Sequence, residues 1–271
     1  AQVRGCSAAL QRLAKQQGIA LILVGHVTKE GILAGPKVLE HLVDAVITFE
    51  GDRFASHRLL RAVKNRYGAT YELGVFEMLG KGLVEVSNPS EIFLSGEGAS
   101  GISTIVAHEG TRSIVVDLQA LVNSTTYASP RRTATGVENN RLHQILAVLE
   151  KHLALPLSRF DCYLAVAGGL EVEEPAADLG IAAAIVSSLK DIKLPQGTVL
   201  IGEVGLGGQL RPVSQLAQRL QEAFRLGFTK AIIPSRSEIK KSKETNDDID
   251  IYEAKNITEA ITIALGINLE D

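Results

Sequence analysis

Two long cations, Lys64 and Arg66, stand two residues apart in the run RLLRAVKNRYG, positions 58–68. On an extended strand, residues i and i+2 project from one face. Lysine supplies a point charge and arginine a planar fork of donors, a pairing suited to phosphate or another compact anion. Arg53, Arg58 and Arg61 precede the pair, and no acidic residue interrupts positions 53–71. Two readings of the run stay open: an anion site, or a solvated edge strand whose charges discourage aggregation. Arg131 and Arg132 form a second basic pair, in a polar stretch that reads as a loop facing nucleic acid, a neighbour or water.

These cations need elements to hold them. The chain opens on an amphipathic helix with Val3, Cys6, Leu10 and Leu13 on one face, stopped by Gly18. The apolar run IALILVG (19–25) follows, bounded by glycines, and reads as a buried parallel strand. His26 ends it, at the carboxyl edge where α/β proteins place ligands. A short helix from Pro36 then leads into four strands ending near position 86, a meander with glycine-containing turns. The Ser-, Gly-, Pro- and Glu-rich stretch 87–101 reads as a domain boundary, which divides the chain into 1–90, a linker at 91–101, and 102–271.

The second part alternates the two periodicities. A hairpin is predicted around Glu109–Thr111, then a polar loop, a helix over 139–153 and a strand beginning at Asp161. An Ala-rich helix opens at Pro175 behind Glu173 and Glu174, two carboxylates suited to a helix N-terminus. A hairpin over 197–213 and a helix capped by Ser214 and stopped by Gly227 come next. A strand at 228–234, a charged segment, and a last strand and helix close the chain. With 45% hydrophobic residues, only 4% aromatic and no Trp, its core must be aliphatic. A net charge of −3 excludes a uniformly basic nucleic-acid binder but leaves room for a local patch.

Several chemistries are missing. No G-x-x-x-x-G-K-[ST] phosphate loop occurs: GILAGPK has the wrong spacing, with Val38 after Lys37. GLGGQL carries Leu210 where a dinucleotide fingerprint needs Gly or Ala, so it reads as a hairpin turn. Cys6 and Cys162 belong to no C-x-x-C pair, so no zinc site is read, and two free thiols suit a reducing cytoplasm. The apolar runs are too short to span a bilayer.

The stretch GHVTKEGILAGPKVLEHLVDAVITFEGD followed by LLRAVKNRYG closely resembles the RadA (Sms) family of bacterial DNA-repair ATPases, relatives of RecA. The Lys-Asn-Arg-aromatic-Gly box is that family's hallmark, with Tyr67 as its aromatic here, and the likeness runs essentially end to end. The resemblance implies an α/β chain: part of a RecA-like ATPase core, followed by an α+β Lon-protease-like domain (ribosomal S5 domain 2-like). It implies a DNA-dependent ATPase that processes recombination intermediates by branch migration, as a hexameric ring acting on single-stranded or branched DNA, with RecA as a further partner. ATP and Mg would be its cofactors, with zinc in an N-terminal finger. The phosphate loop and that finger lie, in the family, upstream of the residues seen here, so the chain is expected to be a C-terminal fragment that does not hydrolyse ATP alone.

Residue by residue, the resemblance makes Lys64 and Arg66 trans-acting fingers toward a neighbour's ATP and His26 a γ-phosphate sensor. Lys29, Lys37, Arg58 and Arg61 become DNA contacts. Aligned without gaps on the Lon pattern, the serine nucleophile falls at Ala176 and the lysine base at Arg219. Alanine has no nucleophile and arginine does not give up its proton, so both protease positions are degenerate. Ser187, Ser188 and Lys190 would need a rebuilt geometry to replace them. The alternatives to a repair ATPase are an ATP-independent oligomerisation and DNA-binding module and, behind both, a Lon-type peptidase.

Overall fold

The computed structural model describes residues 2–25, 38–51, 57–70, 72–96, 98–235 and 250–267. The chain divides into two compact units, Ala1–Val86 and Ser87–Asp271. His26, Lys29, Lys37 and Arg53 lie outside the described residues.

The first unit begins with α1 (Gln2–Gln17) and the single-turn α2 (Val38–Leu42). Gln11 Nε2 donates to the Leu42 carbonyl and ties the two together. An antiparallel meander follows: β1 (Ala45–Glu50), β2 (His57–Asn65), β3 (Leu73–Leu79) and β4 (Gly82–Glu85), in that spatial order. Its core is thin; Leu59, Leu73 and Val75 are the buried hydrophobics among the described residues. Two expectations are corrected here. The predicted strand 19–25 is irregular and open to solvent, with Val24 95% exposed. A strand is stable only when its amides pair with another strand, and no described strand pairs with this one. The predicted apolar face of α1 is likewise at the surface at Cys6, Leu10 and Leu13, and Ser7 is buried instead.

The second unit is an α/β fold on a mixed seven-stranded sheet. In chain order it contains α3 (Ser90–Phe93), β5 (Ile102–Glu109), β6 (Arg112–Ser124), β7 (Arg132–Thr135), α4 (Asn139–His152), β8 (Phe160–Val166) and α5 (Asp178–Lys190). It continues with β9 (Thr198–Leu200), β10 (Glu203–Val204), β11 (Leu210–Arg211), α6 (Leu216–Arg225), β12 (Lys230–Pro234), β13 (Asp250–Ala254) and α7 (Ile257–Leu265). The spatial order is β13-β12-β9-β5-β6-β8-β7. The β5–β6 and β6–β8 pairs are antiparallel; the other four are parallel.

Alternation along β5 divides the core. Ile105 faces α5 across Gly180, where a Cβ would lie 2.0 Å from Ile105 Cγ2, so only glycine lets helix and sheet approach so closely. Val106 points the other way, into a cluster with Val115, Leu216, Leu220 and Ala223 beneath α6. α5 is buried from Asp178 through Ser187. That explains its nearly uniform apolar sequence: a helix covered on all sides has no polar face to show.

Four further predictions are revised. Residues 91–101, expected as a linker, include Phe93, which is fully buried within the second unit. The polar stretch after position 124 contains β7, an edge strand that exists by pairing in parallel with β8. The predicted 197–213 hairpin splits, β9 joining the main sheet while β10 and β11 form a separate ribbon. α6 starts behind Gln215 in a left-handed conformation (φ 56°), with no side-chain cap from Ser214. Among the described residues no helix is long and apolar enough to cross a membrane.

Candidate functional site

Lys64 lies at the end of β2, where the pairing slips: Val46 faces Lys64 but Ile47 faces Ala62, so Val63 is left as a bulge. The next residues form a tight turn built by Asn65. Its Oδ1 accepts from Tyr67 N at 3.2 Å and its Nδ2 donates to Ala69 O at 3.2 Å. A short amide that bonds its own backbone two residues on is what such a turn needs. Gly68 closes it, since a Cβ there would crowd Asn65 Nδ2 at 2.7 Å. The turn presents Arg66 and Tyr67 outward, with the Arg66 side chain 62% and Tyr67 81% exposed. The guanidinium carbon of Arg66 stands 5.8 Å from the Tyr67 ring centroid.

The two cations of the box are held differently. Lys64 Nζ donates to Glu40 O at 2.6 Å and Val43 O at 2.9 Å. Arg66 makes, among the described residues, one long ion pair, Nη1 to Asp44 Oδ1 at 3.5 Å. The other basic residues of β2 are engaged at the sheet. Arg61 Nε is 3.6 Å from Glu50 Oε1 with its side chain only 13% exposed, and Arg58 Nη1 donates to His57 O at 2.7 Å. In the second unit, the Arg131 guanidinium stacks 3.8 Å from the Tyr127 ring centroid, while Arg132 begins β7.

At the two Lon-aligned positions the chemistry is closed. Ala176 is buried in a short 3₁₀ turn, Pro175–Ala177, ahead of α5, and its carbonyl accepts from Gly202 N at 2.9 Å. Arg219, on α6, is 0% exposed. It donates from Nε to Ser214 O at 2.9 Å and from Nη1 to Val106 O and Glu174 Oε1, both at 2.6 Å. Nη2 donates to Glu174 Oε2, completing a two-pronged carboxylate clamp. Glu174 Oε1 also accepts from His108 N at 2.6 Å. Ser187 and Ser188 bond backbone as well: Ser187 Oγ donates to Ile192 O at 2.6 Å, and Ser188 Oγ accepts from Val122 N at 2.9 Å.

Glu174 and Asp178 were not singled out by sequence reasoning, which took Glu174 as a helix-dipole residue. Its partner lies 45 residues on, and no local spacing reveals such a pair. Asp178 is fully buried; its Oδ2 accepts from Val204 N at 3.0 Å, and its Oδ1 lies 2.9 Å from Arg141 Nε without hydrogen-bond alignment. Burial pushes this carboxyl from 3.8 up to about 7, against the Val204 amide and Arg141 and with help from Glu203. A carboxyl raised on folding contributes stability fully present below about pH 4 and lost as pH rises through about 7. Asp178→Asn is therefore expected to flatten the decline in stability between pH 5 and pH 8, checked by urea melts across that range. Arg141 and Glu174 also border a pocket of ≈ 260 Å³, with Glu138, Gln144, Glu173 and Ala177.

Comparison with known proteins places this architecture. A family model described as subunit ChlI of Mg-chelatase matches residues 114–237, wholly within the second unit. DNA repair protein RadA of Synechocystis is 63% identical over 235 residues, 86% of this chain and 46% of the relative. RadA of Bacillus subtilis is 48% identical over 267 residues, 98% of this chain and 58% of the relative. RadA of Escherichia coli is 48% identical over 265 residues, 97% and 57% respectively. The chain thus spans about half the length of the curated relatives it matches. Likeness at this level extends across both units, and along most of its length the chain is similar to DNA repair proteins named RadA.

Proposed function

We propose that this chain is part of a DNA-dependent repair ATPase that acts on single-stranded or branched recombination intermediates and works as a ring, in the cytoplasm. In this reading the first unit is the later part of a RecA-like core. The second is a Lon-like platform for assembly and DNA contact, with RecA as a further partner. Arg66 reaches the ATP of a neighbouring subunit, with Lys64 beside it. Charge grows on the equatorial phosphoryl oxygens during transfer, and a cation placed in advance stabilises it. Drawing that cation from the next subunit makes hydrolysis conditional on assembly. Magnesium would accompany the ATP; no residue of this chain is assigned to it.

The observation that carries the reading is the Asn65–Gly68 turn, in which two side-chain hydrogen bonds of Asn65 hold a cation and an aromatic ring in solvent. A turn that served only to reverse the chain would not need Arg66 and Tyr67 at its crest. A Ser–Lys peptidase is not proposed, because Arg219 is already committed to four acceptors.

In the ATP-hydrolysing assembly that contains this chain, Arg66→Ala is expected to lower DNA-stimulated turnover by about 10³-fold or more, the scale of a lost arginine finger. The melting temperature should hold, since the residue's one side-chain ion pair among the described residues is exposed. Undiminished turnover in this variant would reject the reading.

A further inference from the structure

Lys64 and Arg66 look equivalent in the sequence, and the geometry separates them. α2 ends at Leu42, so the carbonyls of Glu40 and Val43 belong to the helix end and the residue beyond it, where intrahelical partners run out. Lys64 Nζ supplies the missing donor to both. If Lys64 left to meet a phosphate, those two carbonyls would lose it. Arg66 carries no such obligation. Its main-chain N donates to Asp44 O at 2.9 Å, which fixes its base, while among the described residues its guanidinium has only the exposed 3.5 Å contact to Asp44 and the Tyr67 ring at 5.8 Å. Together with the Ala45–Asn65 and Val46–Lys64 pairs of the ladder, these bonds fasten residues 40–46 to residues 64–66.

We propose that Lys64 is a positioning residue and not a second finger: it staples the end of α2 to the end of β2 and thereby holds the backbone of Arg66 where the guanidinium alone moves. This rests on the reading that Arg66 meets a neighbour's nucleotide. The physical gain is preorganisation, since a cation swinging from a fixed base loses less freedom on reaching its target than one on a loose loop. The unequal hold on the two side chains also has a consequence for exchange: the lysine stays with its carbonyls while the arginine is released from a solvated carboxylate to a phosphate that offers it the same forked geometry.

Two measurements test this, and they fail separately. The first uses this chain alone and follows hydrogen exchange at the Arg66 amide, which is bonded to Asp44 O. Lys64→Met is expected to speed that exchange at least tenfold; Lys64→Arg, still able to donate to both carbonyls, is expected to restore most of the protection. Unchanged protection in Lys64→Met overturns the proposal whatever the ATPase does. The second is a double-mutant cycle on ATP turnover in the assembly. If Lys64 acts only through Arg66, adding Lys64→Met to Arg66→Ala lowers turnover no further. A further tenfold loss would make Lys64 a direct phosphate contact and overturn the proposal. If Arg66→Ala alone has no effect, the underlying nucleotide reading has failed, and the exchange result still decides whether Lys64 is a staple.

Discussion

Replacing Arg219 by methionine is expected to destabilise the second unit by about 3–5 kcal/mol, the cost of breaking a buried ion pair by removing one partner. The substitution fits the space but leaves Glu174 without its clamp and strips a donor from the carbonyls of Val106 and Ser214. Glu174 is 24% exposed and still accepts from His108 N, so water recovers part of the loss and the lower end of the range applies. Glu174→Gln should cost more, because it strands a guanidinium that is 0% exposed. Replacing both with apolar residues should cost less than either single change. Cys162 provides the readout. It is buried, and burial raises its thiol to about 11, so labelling it requires the second unit to open. With Cys6→Ser removing the exposed thiol of the first unit, urea-dependent labelling reports the second unit alone. A loss under about 1 kcal/mol, no more than an exposed pair contributes, would mean that the clamp does not hold the second unit together.

Phe93→Ala is expected to cost the same unit about 3–5 kcal/mol, the usual toll for emptying an aromatic from a core. Phe93 is 0% exposed, and its ring lies against Gly168, where a Cβ would meet Phe93 Cδ1 at 2.4 Å. Gly168 also has φ 67°, which disfavours a side chain there for a second reason. The same labelling of Cys162 measures the loss. If 91–101 were a passive linker, truncating Phe93 would leave the labelling midpoint unchanged.

The four-strand meander, α4, α5 and α7 follow from local signals: periodicity, glycine punctuation and, for α7, an Asn256 cap whose side chain accepts from Glu259 N. Residues 19–25 have the composition of a buried strand, yet pairing and burial require other segments, and no described strand supplies the pairing. β7 shows the reverse, a polar stretch made into a strand by a free sheet edge beside it.

Local chemistry in the chain was enough to identify the cation-bearing turn of Lys64 to Gly68 and the absence of a G-x-x-x-x-G-K-[ST] phosphate loop. Those conclusions depend on which functional groups are present and how closely they follow one another, and both are written along the backbone. Folding in three dimensions alone set what the groups touch: Lys64 on the carbonyls of Glu40 and Val43, Arg66 in solvent, and Arg219 clamped to Glu174. Partners 21 to 45 residues apart meet only because helices and strands pack, and burial then decides whether a charge is free to act or held in place.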